Sequence, residues 1–505
     1  MPRQVILFLA ETQSANWLGC HDGNAALRTP CLDRLASQGA LFERAYTCSP
    51  VCGPARSAIF TGLYPHSNGV LANDLAPHAD VPTVGKRLSD AGVRAGYIGK
   101  WHLDGTDYFG DGRCPQGWDP EVWFDGRRYL ESLPNETARD LSRRELSSSE
   151  VAEHGITAEF TYARRIGDRA REFIARHKDE DFLLVVAPDE PHHPFICPEP
   201  FVSGFDDFEV PVGNASDALA DKPLMQREWA EHTKGASAKI LRERDGEARL
   251  NYPAYFACNS FLDSEVGRVM DAVDEYIPEA LVLYTADHGD MFGSHRLFGK
   301  GPAVYEEITN VPFLVRWPGV VRPGSRNGSP LSQIDLTPTL LSYFDVPIPN
   351  LLQGTSLLER FEATANEGSG PIFLEFNRFE VDHDGFGAFA PIRCVIDGRW
   401  KLAVNLLDID ELYDLESDPG EMRNRIADES VGAIRDALHG RLLEWMDATR
   451  DPLRGPHWRR RAWGTANCSS WGGPTRPRPF DAAYFPKTLL YDTAREVDRA
   501  VYAKH

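Results

Sequence analysis

The chain has 505 residues, of which 42% are hydrophobic and 26% are charged, a composition typical of a soluble globular enzyme. This length accommodates one large α/β domain with a smaller partner, or three small domains. The formal net charge of −21 argues against non-specific binding to nucleic acid or to an anionic membrane, although a local basic pocket can still bind an anionic substrate.

The nine cysteines are scattered and odd in number, and none lies in C-x-x-C spacing. This pattern favours a reducing compartment over a disulfide framework. The apolar run near the N-terminus is too short for a signal peptide, and no stretch is long enough to span a membrane. We therefore expect a cytoplasmic protein.

The first predicted strand covers Val5 to Ala10, because a short, continuous apolar run is typical of a buried parallel strand. Glu11 and Thr12 follow it directly. Open α/β sheets place their binding sites just beyond the carboxyl ends of such strands. These two side chains are therefore candidate site residues, with Asn16 nearby as a reserve. A helix is predicted next, over Thr29 to Gly39.

The stretch CSPVCGPARSAIFTG, from Cys48 to Gly62, contains a candidate nucleophile at the start of a predicted helix. Cys52 lies just ahead of a proline that suits the first helical turn. A group at this position faces unpaired backbone N–H donors and the positive end of the helix dipole. Arg56, one turn on, can reach back towards the same point. The alternative is a buried structural cysteine, because free cysteine is among the most buried residue types.

A strand predicted over Ala95 to Ile98 leads into Lys100 and His102, in the sequence GYIGKWHL. This places a permanent cation and a titratable imidazole at the end of a strand. The glycine and lysine do not form a phosphate-binding loop, because the full Gly-x4-Gly-Lys-Ser/Thr pattern is absent. The alternative for either side chain is a solvated surface position.

An amphipathic helix is predicted over Ala158 to His177, followed by a buried strand over Phe182 to Ala187. The strand leads into PDEPHHPF, which contains His192 and His193. A histidine near its ordinary pKa can protonate a leaving alkoxide or phenoxide near neutral pH. The residues alone leave open which of the two histidines does so.

A further strand, predicted over Ala280 to Thr285, leads into ADHGDMFGSH. Asp287 and His288 lie just beyond it and offer one oxygen and one nitrogen ligand, a pair that suits a divalent cation. A surface turn is the alternative, but the preceding buried strand argues against it. Lys300 follows in the sequence LFGKG.

Several of these stretches resemble the signatures of the type I sulfatases, a family of the alkaline phosphatase superfamily. Cys52-Gly-Pro-Ala-Arg56, followed after a short apolar run by Thr-Gly, is similar to the first signature, and GYIGKWHL is similar to the second. TPCLDRLASQGALF, PHHPF and TADHGD match further elements in the family's order. The resemblance covers most of residues 3–425 and is weak in two loop regions and in the tail.

The resemblance implies an α/β fold like that of alkaline phosphatase, with a large mixed, mostly parallel sheet flanked by helices over residues 1–370. A small antiparallel subdomain is expected over 371–450, where the sequence changes to short strands. Residues 451–505 form a C-terminal extension with a basic run, several tryptophans and many prolines. We expect it either to wrap a neighbouring subunit of a homo-oligomer or to lie loosely on the surface.

The resemblance also implies two cofactors. In this family a formylglycine-generating enzyme oxidises the signature cysteine to Cα-formylglycine, an aldehyde that hydrates to a gem-diol. One divalent metal ion binds beside it; calcium is usual, and manganese and zinc are alternatives. Where this chain has Glu11 and Thr12, the family carries an Asp pair, or Asp followed by Gln or Asn. The corresponding ligand positions here are Glu11, Thr12, Cys52, Asp287 and His288.

The implied reaction is hydrolysis of a small sulfate ester to an alcohol or phenol and inorganic sulfate. A diol hydroxyl attacks sulfur, while the metal, Arg56, Lys100 and Lys300 neutralise charge on the sulfuryl oxygens. His192 protonates the leaving oxygen, and His102 removes the remaining diol proton, which releases sulfate. The catalytic positions carried over from the family are Cys52, Arg56, Lys100, His102, His192 and Lys300.

Two other functions remain open from the sequence. Phosphonate monoester and phosphodiester hydrolases of the same superfamily share the formylglycine and the Asp-His pair, but they tend to replace the lysine and histidine of GKWH with uncharged groups. A metal-free protein that binds sulfated ligands is the alternative from another class, suggested by Glu11 and Thr12. The organic part of the substrate is not predicted, and specificity is expected from residues 104–160, 200–250 and the tail.

Overall fold

A seven-stranded sheet forms the centre of the computed structural model, which describes residues 2–22, 27–362, 370–381, 385 and 387–463. The strands occur in the spatial order β7-β2-β6-β5-β1-β4-β3. They are β1 (Gln4–Ala10), β2 (Ala40–Phe42), β3 (Arg94–Gly99), β4 (Phe182–Ala187), β5 (Leu281–Ala286), β6 (Phe313–Arg316) and β7 (Ser325–Asn327).

The sheet is mixed and mostly parallel. Strands β3, β4, β1 and β5 run parallel to one another, whereas β6 is antiparallel to both of its neighbours. Every residue of β1, β4 and β5 is buried. Strands with helices over both faces of their sheet need apolar side chains on both sides, which explains why they appear as continuous apolar runs in the sequence.

Two groups of helices flank this sheet. The longer helices are α1 (Pro30–Gln38), α2 (Cys52–Thr61), α3 (Tyr162–His177), α4 (Leu224–Ile240), α5 (Pro253–Tyr276), α6 (Leu336–Tyr343) and α7 (Gly432–Ala448). In one group α3 packs against α5 and against β3 and β4, and in the other α6 packs against α2. Shorter helices are Gly19–Asp22, Pro65–Asn68, Val84–Asp90, Gly126–Ser132, Glu136–Leu141, Ser148–His154, Glu306–Thr309, Leu358–Glu362 and Pro456–Arg459.

Most predicted boundaries lie within a residue or two of the observed ones, but one helix begins later than expected. The helix predicted from Ala158 begins at Tyr162, after a separate 3-10 turn at Ala158–Phe160. Thr161 separates the two, because its backbone is extended and its side-chain oxygen accepts a hydrogen bond from the backbone N–H of Arg164. A capping threonine of this kind sets the first residue of the helix.

Two small sheets join loops to the main domain. The first consists of Ala45–Tyr46, Asn310–Val311 and Leu331–Ser332, and the second of Val210–Pro211, Leu241–Arg244 and Glu247–Leu250. The first lies where the chain runs towards the start of α2. Among the described residues, none of the helices combines the length and the apolar character that crossing a membrane requires.

A four-stranded antiparallel sheet forms the C-terminal part of the described chain, with α7 packed on it. Glu375 of this sheet ties it to the main domain by accepting a hydrogen bond from the backbone N–H of His66 at 2.8 Å. The predicted α/β fold with a small antiparallel subdomain is confirmed. The strands are β8 (Ile372–Phe376), β9 (Ile392–Asp397), β10 (Trp400–Asn405) and β11 (Glu411–Asp414).

The described part of the C-terminal extension contains the helix Pro456–Arg459, whose Trp458 is buried against the antiparallel subdomain. Residues 464–505, on which the predicted contact with a neighbouring subunit depends, lie outside the described residues. The division of the chain at residues 370 and 450 and the role of the extension therefore stay predictions.

The carboxyl ends of β1, β3, β4 and β5 meet at one edge of the sheet, because these strands run parallel. Ala10 pairs with Ala286, and Gly99 pairs with Ala187. The residues that follow these pairs are therefore brought side by side. This register brings together four of the stretches that form the site described below, and the start of α2 and Lys300 complete it.

Candidate active site

Cys52 lies at the centre of a buried polar cluster. It is the first residue of α2, and Val51 before it is extended. Its Sγ lies 2.9 Å from Oε1 of Glu11, 3.1 Å from Nε2 of His288 and 2.6 Å from Nζ of Lys300. Three chemically different groups thus converge on one sulfur atom. The Cys52 residue is 1% exposed.

The charges around Cys52 favour an anion at this point. Burial and the carboxylate of Glu11 oppose ionisation, but Lys300, His288 and Lys100 outweigh them and hold the pKa of the Cys52 thiol well below its ordinary value. The positive end of the α2 helix dipole adds to this field. The position therefore suits an anionic or strongly polarised oxygen at least as well as a thiol.

Four donor groups lie close enough to bind one metal ion. One ligand atom from each of Glu11, Cys52, Asp287 and His288 lies within 4.8 Å of the others, and all four residues are buried. Burial and the charge of Glu11 raise the pKa of Asp287 to about 7. A cation bound beside these two carboxylates would stabilise the ionised form of Asp287. The donor set of oxygen, nitrogen and one reactive side chain fits a divalent metal.

Thr12 lies beside this cluster. Its hydroxyl donates to Oε1 of Glu11 at 3.3 Å, and its backbone N–H donates to Oδ1 of Asp287 at 3.2 Å. Its φ of 51° turns the chain sharply after β1. Asn16 is exposed to solvent. Metal ligation by Thr12 stays a prediction.

Arg56 binds the carboxylates of this cluster. Its Nε lies 3.0 Å from Oδ2 of Asp287, and its Nη2 lies 2.6 Å from Oε2 of Glu11. Nη1 donates to the backbone carbonyl of Lys100 at 2.8 Å. The side chain is fully buried. The sequence placed Arg56 against the sulfuryl oxygens, whereas the structure directs its donors to Glu11 and Asp287. Removing one partner from such a buried ion pair costs about 3–5 kcal/mol.

Two lysine ammonium groups enter the same cluster. Nζ of Lys100 lies 3.4 Å from Oε1 of Glu11 and 2.9 Å from Oδ1 of Asp189. Nζ of Lys300 donates to Sγ of Cys52 and lies 3.1 Å from Nε2 of His288. Burial opposes the charge on both, but nearby anions outweigh it and raise the pKa of each lysine above its ordinary value. The charged form of both lysines is therefore favoured in this cluster.

His102 is buried at the end of β3, next to the Cys52 position. Its φ of 57° lies in the left-handed region, and its Nε2 lies 3.7 Å from Oδ1 of Asp74. Burial opposes the charged form, but hydrogen bonding to Asp74 and to Cys52 outweighs it and raises the pKa of His102. The ring is thus set up to hold a proton.

The structure separates the two adjacent histidines. Nδ1 of His192 donates to the carbonyl oxygen of His193 at 2.6 Å, which leaves Nε2 as the free nitrogen of the neutral ring. Burial, Lys100 and Lys300 lower the pKa of His192 well below its ordinary value. His193 has a side chain that is 59% exposed, and its Nε2 lies 3.6 Å from Oε2 of Glu145. Only His192 therefore faces the lysine pair.

Three side chains at the site were missed from the sequence: Asp74 beside His102, and Asp189 and Tyr108 beside Lys100. Asp189 pairs with Lys100, and the ring of Tyr108 lies 5.2 Å from Nζ of Lys100 and 5.5 Å from the ring of His192. The position of Asp189 two residues beyond a buried strand was the available signal, because such positions lie at the same edge of the sheet. Tyr108 lies in a long loop and had no such signal.

Comparison with known proteins identifies the family. The sulfatase family model matches residues 3–346, and the model of the C-terminal region of N-sulphoglucosamine sulphohydrolase matches residues 293–448. The chain is 42% identical over 502 residues to the uncharacterized sulfatase YidJ of Escherichia coli (strain K12), covering 98% of this chain and 97% of that protein. The chain belongs to the sulfatase family. It is a sulfuric ester hydrolase, which confirms the type I sulfatase resemblance.

Solved structures confirm the fold. The structure of BT4656 in complex with its substrate D-glucosamine-2-N,6-O-disulfate has a TM-score of 0.72, with 20% identity over 89% of this chain and 99% of that one. The phosphonate monoester hydrolase of Silicibacter pomeroyi also has a TM-score of 0.72 and 20% identity, over 89% of this chain and 96% of its own. At 20% identity this structural similarity establishes the fold. The substrate class is inferred from the residues of the site.

Proposed function

We propose that the chain hydrolyses a small sulfate ester to an alcohol or phenol and inorganic sulfate, using a formylglycine made from Cys52 and one divalent metal ion. The observation that carries this proposal is the convergence of a carboxylate, an imidazole and an ammonium group on Sγ of Cys52. The sulfur stands in for the oxygen that a formylglycine would place there. A structural cysteine needs no such surroundings.

The two cofactors supply the nucleophile and an electrophile. A hydrated formylglycine supplies an oxygen nucleophile, and the metal ion polarises the sulfuryl oxygens and that nucleophile. Carboxylate and hydroxyl oxygens favour calcium, and the His288 nitrogen keeps manganese and zinc as alternatives. The residues proposed to hold the metal are Glu11, Thr12, Cys52, Asp287 and His288.

Lys100 and Lys300 are proposed to bind the sulfuryl oxygens. Both are buried and charged, and both lie near the Cys52 position. Lys300 contacts Sγ of Cys52 directly, and Lys100 contacts Oε1 of Glu11, the atom that also lies near Lys300. Cations fixed in a dry site stabilise negative charge that grows in the transition state, without rearranging during the reaction. They also explain how a protein of net charge −21 binds an anion.

Arg56 is proposed as a positioning residue. Its guanidinium spans Glu11 and Asp287 on the buried side of the cluster, so that both carboxylates present an oxygen towards Cys52 and His288. The planar fork of arginine suits two acceptors at fixed separation better than a lysine does.

His192 and His102 are proposed to move protons. His192 keeps its Nδ1 proton on the carbonyl of His193, so Nε2 is the nitrogen available to the leaving oxygen. It can pass a proton there only from the doubly protonated ring, which an anionic substrate would favour by offsetting the charges of Lys100 and Lys300. His102, with its charged form supported by Asp74, accepts a proton at the Cys52 position when sulfate is released. The two imidazoles thus act in successive steps, His192 on the leaving alkoxide or phenoxide and His102 at the Cys52 position when sulfate is released.

The sulfate preference is tested by comparing kcat/KM for an aryl sulfate and for an aryl phosphonate monoester with the same leaving group. We expect the higher kcat/KM for the sulfate, because Lys100 and His102 occupy positions that phosphonate hydrolases tend to fill with uncharged groups. Comparing esters of one phenol removes any difference in leaving-group acidity. A large preference for the phosphonate would make the chain a phosphonate monoester hydrolase that retains the sulfatase fold.

The substitution His192→Gln is expected to slow the hydrolysis of poor leaving groups much more than that of good ones. General acid catalysis contributes about 10²–10⁴-fold, and an alkoxide needs the proton whereas a nitrophenoxide leaves without it. The measurement is kcat/KM for an alkyl sulfate and for 4-nitrophenyl sulfate. His193→Gln is the control, because that ring points to solvent. Equal losses on both substrates would remove His192 from the acid role.

The proposal extends to location, partners and domains. A formylglycine-generating enzyme is required to act on the Cys52 motif, and no nucleic-acid or membrane partner is proposed. The eight cysteines in the described ranges are all free, which supports a reducing, cytoplasmic location.

Residues 1–370 are proposed as the catalytic domain and 371–450 as the subdomain, with a homo-oligomer formed through 451–505.

A further inference from the structure

Asp189 is a carboxylate to which the mechanism above assigns no role. It lies two residues beyond β4, on the edge of the sheet that carries the site. Its side chain is 15% exposed and its Oδ1 is enclosed. An ionisable group is rarely kept in such a place without a partner, because removing a carboxylate from water is costly.

The partner of Asp189 is the ammonium group of Lys100. Oδ1 of Asp189 lies 2.9 Å from Nζ of Lys100, closer than Oε1 of Glu11 at 3.4 Å. The ring of Tyr108 lies 5.2 Å from the same nitrogen. Three described groups therefore contact the ammonium, and Asp189 is the nearer of the two carboxylates.

This arrangement matters because a lysine carries a compact charge on a flexible stem. In a dry site the ammonium moves towards whichever anion is nearest. With Glu11 as its only partner, it would settle on a carboxylate of the candidate metal cluster. Asp189 competes with that attraction, because its Oδ1 lies nearer to Nζ than Oε1 of Glu11 does.

The contact with His192 is weaker. Nδ1 of His192 lies 3.9 Å from Oδ1 of Asp189, which is beyond hydrogen-bond distance, and it is already bonded to the carbonyl of His193. Lys100 is therefore the group through which Asp189 acts.

We propose that Asp189 is a positioning residue that aims the Lys100 ammonium at the sulfuryl group of the substrate. This inference rests on the proposed function, because it presupposes that Lys100 binds the sulfuryl oxygens. It predicts an effect that depends on Lys100 and is independent of the leaving group.

The test begins with Asp189→Asn, which keeps the size of the side chain and removes its charge. We expect kcat/KM to fall about 10–100-fold, the usual effect of losing a partner that orients a site residue. The loss is expected to be equal for 4-nitrophenyl sulfate and for an alkyl sulfate, in contrast to His192→Gln. Asp189→Glu, which retains the charge, is expected to recover part of the activity.

A double-mutant cycle with Lys100→Gln identifies the partner. Once Lys100 is absent, Asp189→Asn is expected to cost little more, because the group it orients has gone. Glu145→Gln is the matched control: this carboxylate pairs with the neighbouring His193 and is expected to leave kcat/KM unchanged. Additive losses in the cycle, a loss that grows with leaving-group pKa, or wild-type activity in Asp189→Asn would each overturn the inference.

Folding and function are checked separately. Thermal unfolding and metal content of each variant show whether a loss of activity has a structural cause. If Asp189→Asn does not fold, Asp189→Ser replaces it in the double-mutant cycle with Lys100→Gln. Turnover of 4-nitrophenyl sulfate by the wild-type enzyme comes first. Its absence would contradict the proposed function, whereas normal turnover with an unaffected Asp189→Asn variant would contradict only the role of Asp189.

Discussion

Replacing Cys52 by alanine is expected to lower kcat/KM for aryl sulfates by about 10³-fold or more, because it removes the only proposed source of the nucleophile. Alanine has no thiol to be oxidised to formylglycine. The surrounding Lys300, Glu11 and His288 would remain, so substrate binding is expected to be affected less than turnover. Steady-state kinetics of Cys52→Ala against the wild type measure both quantities.

Mass spectrometry of the wild-type peptide that contains Cys52 gives an independent test. Conversion of the thiol to an aldehyde makes the peptide about 18 Da lighter. The control is Cys48→Ala in the same motif. Cys48 is buried, lies 3.4 Å from the hydroxyl of Ser332 and has a pKa raised by burial to about 12, so it is a neutral packing residue. An active enzyme whose Cys52 is entirely an unmodified thiol would contradict the mechanism.

Loss of the metal ion is expected to reduce turnover by about 10²-fold or more, and Asp287→Asn is expected to have the same effect. Asp287→Asn removes one of the two buried carboxylates that form ion pairs with Arg56. The measurements are metal content by elemental analysis and activity after chelation. Adding back calcium, manganese or zinc separately then identifies the ion that restores turnover.

The matched control for the metal site is Asp290→Asn in the same ADHGD motif. Oδ1 of Asp290 accepts hydrogen bonds from the backbone N–H groups of Phe292 and Gly299, and an asparagine oxygen can accept both. We expect this variant to keep both its metal and its activity. Full activity of a metal-free wild-type enzyme would rule out the metal site and with it the proposed roles of Glu11 and Asp287.

Much of the fold was predictable because its strands are buried on both faces. Continuous apolar runs such as those of β1 and β4 have few alternatives to a buried strand. Helix ends were predicted less accurately. The helix Tyr162–His177 was predicted to begin earlier, because the hydrophobic periodicity continues through Thr161, whereas the capping side chain of Thr161 sets the first helical residue. The antiparallel subdomain was recognisable from its short strands and turns.

The site was predictable to the extent that its residues follow strands in recognisable motifs. Glu11, Lys100 and Asp287 each come directly after a strand that runs parallel to the others, so the sequence order already implied that they meet. Asp189 belongs to the same group but carries no motif of its own. Tyr108 comes from a loop, whose path depends on packing with the rest of the chain.

The sequence by itself determined which chemical groups this protein has and which strand ends present them: Cys52 at a helix start, two lysines, and the Asp287–His288 pair. The tertiary structure alone decided how these groups are paired. It directs Arg56 to two carboxylates, turns His192 inwards and His193 outwards, and sets Asp189 against Lys100. The physical reason is that short motifs record local geometry, whereas ion pairs between separate strands depend on the register of the whole sheet.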